Sequence, residues 1–326
     1  MLPLRSKPMR RWHLSAVLSA IGLTAIACLP PLEKVEQATD SFVYSAAFSD
    51  DGLRLALGSQ NDVVEVWDVR SMRRLGHYEL NAGTIEDLAF TPDGLLAVVA
   101  GGHVRLLSTS TGKMGRPGSL RGSGRLRLLD RGRMLVDNDF GKVRLLDVRT
   151  GRGQSLKGQW EVSTPWDRHK ALVVGQDNLV CVIDEASLRT KYSTKLPLLP
   201  PERIEFIATN SSDDTVILGT TRANVFSWDL PGAVHKIASF GEDLGALAAS
   251  PGSRYVITGN PGLVLDGTTG SIVRRFEQPW QKFTIVFSPD GKSFVTEQPH
   301  GAVLYDIESG KPIGKFDLLG KKGNKR

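Results

Sequence analysis

The feature that most constrains this chain is a phrase repeated seven times at a spacing of about forty residues. Each copy has an apolar run, a turn, a second apolar run, a short turn, a third run ending in Asp, another turn and a more polar run. The opening turn is written Phe48-Ser49-Asp50-Asp51-Gly52, Phe90-Thr91-Pro92-Asp93-Gly94 and Phe287-Ser288-Pro289-Asp290-Gly291, with an echo at Ser250-Pro251-Gly252. Pro and Asp-Gly at these places call for tight turns between strands. The third run closes on Asp68, Asp147, Asp184, Asp229, Asp266 and Asp306, and only the second repeat departs, with Ser108. One geometric role explains all six: the carboxylate accepts hydrogen bonds from backbone N–H groups of the following turn. Gly112, Gly151, Gly232, Gly270 and Gly310 come next, where a positive φ is expected.

Repeats of this length with four short strands each, here a to d, cannot bury both faces alone, but they can when stacked around an axis. The expected fold is an all-β, seven-bladed β-propeller with four antiparallel strands per blade, over residues 41–319. The residues also resemble the WD-repeat propellers over roughly residues 40 to 319. Trp67-Asp68 and Trp228-Asp229 carry the signature pair, and Gly76-His77 the Gly-His pair, while Asn61 stands where that family often has a structural Asp. Similar phrases occur in quinoprotein-like propellers, including the lipoprotein that assists outer-membrane barrel assembly. For the ring, closure by simple packing is expected, with Lys311 to Leu318 as the last outer strand.

The N-terminus reads differently. Arg5, Lys7, Arg10 and Arg11 precede the uncharged run Leu14 to Ala27. This is the pattern of a secretory signal, residues 1–27. As a helix that run would reach about 21 Å, short of the roughly 30 Å hydrocarbon core. Ala25-Ile26-Ala27-Cys28 resembles a lipobox, with Ala25 where that family usually has Leu, and implies an acylated Cys28 followed by a tether over 28–40. The other reading of the same site is ordinary cleavage and a soluble exported protein. The expected location is the bacterial periplasm, or the outer membrane as a lipoprotein.

Charge fits this reading. The formal net charge is +6, yet with residues 1–27 removed 37 basic residues face 35 acidic ones, and without the four basic residues of the tail at 320–326 the balance is 33 against 35. The propeller itself is nearly neutral, so nucleic acid is not an expected partner. Residues 105 to 157 hold 13 basic residues against four acidic, divided between the two faces. Cys181 sits in the apolar run Leu179 to Ile183, as a buried structural thiol would.

Strand alternation places the d-to-a and b-to-c connections on one face, termed the first, and the repeated Asp turns on the second. Variable loops on a rigid scaffold are where binding concentrates. The candidate partner-binding residues are therefore Arg121, Phe140, Lys142, Trp160, Trp280, Gln298 and His300. Trp160 and Trp280, read as lying in linkers between blades, either anchor a partner or pack beneath their own loops. No HExxH, nucleophile elbow or phosphate loop is present, and no cofactor or metal is expected. Acidic residues near the starts of a strands, Asp87, Glu161, Glu205 and Asp243, leave open a channel carboxylate site of a hydrolase or lyase. The leading expectation is a monomeric, non-catalytic scaffold that binds envelope proteins and is held to the membrane by its lipid. A role in outer-membrane protein assembly is the other alternative.

Overall fold

A computed structural model describes residues 42–115, 126–129, 132–138, 142–157, 160–162, 171–184, 186–209, 215–241, 243–276, 285–298 and 300–318, and not the side chains of 126, 127, 137, 138, 142, 160–162 and 176. The chain forms a seven-bladed β-propeller. Among the described residues six sheets have four strands in the order a-b-c-d, and the second has three, extended by a bridge from Leu107 to Met114. All pairings are antiparallel. Helical structure among the described residues is confined to single turns, Gln176–Asn178, Pro251–Ser253 and one that includes Gly132.

The core is not one central mass. It is divided into seven apolar clusters, one in each seam between neighbouring blades. Alternation along each strand produces this: in strand b of blade 1, Leu55 and Leu57 turn toward blade 7, while Ala56 turns toward blade 2. A blade therefore buries both faces, and its strands read as apolar runs. The seam between blades 7 and 1 joins Val43, Leu55, Leu57 and Trp67 to Val295, Leu304 and Phe316. There Trp67 meets Phe316 edge to face, with ring centroids 5.6 Å apart. All four strands of blade 7 come from Ile285–Phe287, Ser293–Gln298, Gly301–Asp306 and Pro312–Asp317, so the ring closes by packing, as expected.

Inner strands are also tied across seams. Ser45 Oγ donates to Ile85 O at 3.1 Å, and Asp87 Oδ2 accepts from Leu128 N at 2.8 Å, each link spanning one blade. On the second face Pro289 Cδ lies 3.5 Å from where a Cβ on Gly52 would stand, and Pro251 Cδ 3.3 Å from that of Gly291. The proline of one a-to-b turn thus leans on the turn glycine of the next blade. Those glycines have φ of 69° and 67°, which side-chain-bearing residues rarely adopt, so both positions need glycine.

Bulges recur at fixed places. The a–b pairing of blades 1, 2 and 5 slips by one residue at Tyr44, Glu86 and Glu205. The c–d pairing slips at Leu75, Lys191, Ile237, Val273 and Ile313. A bulge sets two residues against one and turns the strand locally. At the outer edge it also spoils pairing with a further strand.

Candidate interaction face

The two faces differ in regularity. On the second, Asp68 accepts Ser71 N and Oγ, both at 2.7 Å, and Asp184 does the same with Ser187. Asp147 takes Thr150 N at 2.8 Å, Asp266 takes Thr269 N at 2.7 Å and Asp306 takes Ser309 N at 2.7 Å. The repeated unit is thus Asp-x-x-Ser/Thr, and Ser108 imitates it by accepting Thr111 Oγ1 at 2.8 Å.

Asp229 departs from the expected role. Its turn continues Leu230-Pro231-Gly232, with a proline that has no N–H and no hydroxyl at the third place, and its carboxylate instead accepts Thr215 Oγ1 at 3.4 Å. Gly232 correspondingly lacks the positive φ expected of it. Gly112, Gly151, Gly270 and Gly310 have it, and so do Met72 and Leu188, which occupy the same place without being glycine.

Hydrogen bonding lowers the carboxyl pKa of five of these residues. The Ser71, Ser187 and Ser309 hydroxyls act first on Asp68, Asp184 and Asp306, and the Thr269 N–H acts first on Asp266. In Asp147 desolvation opposes the Thr150 bonds but does not outweigh them. A carboxyl with a lower pKa folded than unfolded stabilises fully above the unfolded value of about 3.9, and loses that stabilisation as pH falls through the folded value. Unfolding midpoints measured from pH 6 to 2 are therefore expected to hold steady to about pH 4 and drop below it. Replacing Ser71, Ser187 and Ser309 together with alanine should flatten that drop.

The first face is built from unequal connections. Residues 80–84 join blades 1 and 2, 196–203 join blades 4 and 5, and 240–246 join blades 5 and 6. Asp62, with φ of 73° and its carboxylate buried, accepts Ala82 N at 2.5 Å and Gly83 N at 3.0 Å, and so fixes the first of these. It fills the structural role that the resemblance would give to position 61, one residue earlier. In blade 5 Glu202 accepts Thr220 Oγ1 and Asn224 Nδ2, both at 2.6 Å, while Ser239 Oγ donates to Asn224 Oδ1 at 2.8 Å. Beside this network Leu199 is 75% exposed, the most open large apolar side chain among the described residues and one that the sequence reading did not single out.

The predicted residues fall as follows. Gln298 ends strand b of blade 7, and His300, with φ of 67°, forms the turn after it; both are half-buried on the first face. Lys142 begins strand c of blade 3. Trp160 is not in a linker: it begins strand a of blade 4 and pairs with Gly175, because the strand starts earlier than its composition suggests. Cys28, Arg121, Phe140 and Trp280 lie outside the described residues, as do the signal, the tether and the basic tail.

Of the candidate channel acids, Asp87 is buried in the seam between blades 2 and 3, held by Leu88 N and Leu128 N, and the bulge places its neighbour Glu86 on the exposed side instead. Glu205 is half-buried, Asp243 is exposed and receives Gly245 N, and Glu161 has no described side chain. Among the described residues no three of His, Cys, Asp and Glu gather as a metal site. Cys181 is buried, and burial pushes its thiol pKa up, away from reactivity.

With seven sheets and the Trp-Asp turns in place, the match to known proteins is informative. The family described as WD domain, G-beta repeat (WD40) matches residues 31–68, which include the first three strands of blade 1. This is a WD-repeat-like propeller. Among curated proteins it is similar to pre-mRNA-processing factor 19 homolog 2 of Arabidopsis thaliana, 30% identical over 104 residues, which cover 30% of this chain and 19% of that protein. The likeness thus concerns a part of each protein and not the plant protein as a whole. A WD-repeat-like propeller is an architecture suited to scaffolding protein interactions.

Proposed function

We propose that this WD-repeat-like propeller is a non-catalytic, monomeric scaffold of the bacterial cell envelope, tethered through an acylated Cys28 and engaging an envelope protein with its first face. The contrast between the faces carries this reading. The second face spends its polar groups on self-satisfied Asp turns, which leaves little specific chemistry for a ligand. The first face joins rigid blades by connections of different length, one of which presents Leu199 beside Glu202 and two exposed arginines, Arg203 and Arg222. Leu199 differs from an isolated exposed apolar residue in standing within a hydrogen-bonded, charged surround, the arrangement of an apolar centre with a polar rim.

Affinity capture from envelope fractions tests it. Leu199→Asp and Trp280→Ala are each expected to lower retention of the bound protein at least about tenfold, with the unfolding midpoint unchanged for Leu199→Asp. Retention unaffected by either substitution would remove the first face as the binding surface. Mass measurement of the mature N-terminus separately decides whether Cys28 carries a lipid.

A further inference from the structure

The outer rim carries a pattern that neither face shares. In blades 6, 7 and 1, which are consecutive around the ring, the residue bulged out of the c–d pairing is apolar and open: Val273 at 47%, Ile313 at 53% and Leu75 at 46% exposure. Single exposed apolar residues need no explanation. Three at the same structural position on adjacent blades, joined by exposed Ile272, form a row. The corresponding bulges in blades 4 and 5 are Lys191 and the half-buried Ile237, so among the described bulges the exposed apolar pattern belongs to one arc.

Each of the three is set within two residues of a cation in or beside its own outer strand: Arg73 and Arg74 before Leu75, Arg274 and Arg275 after Val273, Lys311 and Lys315 around Ile313. Arg74 is engaged with Glu65, Arg274 with Glu308 O, and Lys315 with Asp317 at 2.7 Å. Arg73, Arg275 and Lys311 are exposed.

We propose that this arc lies against an anionic lipid surface. Apolar tips that dip into the boundary between headgroups and acyl chains, flanked by Arg and Lys at headgroup level, are what such a surface attracts. A second copy of the chain is a poor occupant because these strands and their flanks set Arg73, Arg74, Arg274, Arg275, Lys311 and Lys315 against only Glu79 and Asp317, so surplus like charge would meet. Bulged outer strands equally discourage an added β-strand. The basic segment Lys321, Lys322, Lys325 and Arg326 follows the outer strand of blade 7, within this arc. The inference is independent of the partner-binding reading of the first face.

Residues 38–326 form one compact unit containing all seven sheets, so that unit can be tested without the N-terminal segment. Co-sedimentation with vesicles of phosphatidylcholine containing about one third phosphatidylglycerol is expected, falling with salt, and little with phosphatidylcholine alone. The exposed-site variant L75S/V273S/I313S should lose at least about tenfold in partitioning with an unchanged unfolding midpoint. The variant R73S/R275S/K311S should lose roughly fivefold per cation. Equal binding to neutral vesicles, or undiminished binding by both variants, would overturn the proposal. So would capture of a glutamate- and leucine-rich peptide by a protein that ignores vesicles, which would assign the arc to an acidic polypeptide.

Discussion

Replacing Trp67 with alanine is expected to cost about 3–5 kcal/mol, read as a shift of the urea midpoint with unchanged slope. Trp67 is buried in the seam that closes the ring, and its indole N–H finds no acceptor among the described residues, so its contribution there is packing. Phe316→Ala removes the other half of the edge-to-face pair and should cost a similar amount. The double variant should fall short of additivity by about 0.5–1.5 kcal/mol, the coupling of an aromatic pair. Trp228, in the seam between blades 4 and 5, is the internal control, and its Nε1 donates to Gly232 O at 3.3 Å. Trp67→Phe should therefore be tolerated better than Trp228→Phe. A Trp67→Ala variant within about 1 kcal/mol of the parent would show that the closing seam contributes little to stability.

The second large effect is electrostatic. Glu65 faces the same seam, since Trp67 two residues on and its cross-strand partner Leu57 both belong to the cluster there. Its side chain is 0% exposed, and Oε1 takes Arg74 Nη1 at 3.0 Å and His77 Nδ1 at 2.8 Å. Removing partners from a buried charge costs more than the pair is worth, because the charge stays buried. The double substitution R74A/H77A is expected to destabilise by about 3 kcal/mol. Glu65→Leu, which removes the buried charge itself, should cost clearly less. The reverse order in chemical denaturation would mean that the seam draws net stability from the ionic cluster.

The seven blades were legible because the Asp-x-x-Ser/Thr turn is local: its donor and acceptor lie three positions apart and leave a mark at every repeat. The site was less legible because bulges carry no composition signal. One extra residue moves every later side chain to the opposite side of the strand, which is why Glu86 and not Asp87 reaches solvent. Glu65 was hidden for a different reason. It interrupts an apolar strand, and only the cross-strand register with His77 brings its partners within reach. Leu199, in a loop of prolines and leucines, gave no periodicity to read.

Closure of the ring by side chains alone has a consequence for how chain order relates to shape. No described strand is lent from one end of the chain to complete a blade at the other, so the seam between blades 7 and 1 is chemically of the same kind as the other six. The sequence around the circle and the sequence along the polypeptide are then separable. Joining residue 318 to residue 42 through a short linker and opening the chain in the connection at 240–246 would yield a circular permutant with the same seven seams. Its breathing would move to the new opening, so amide exchange would mark where the polypeptide is cut and not where the fold is weak.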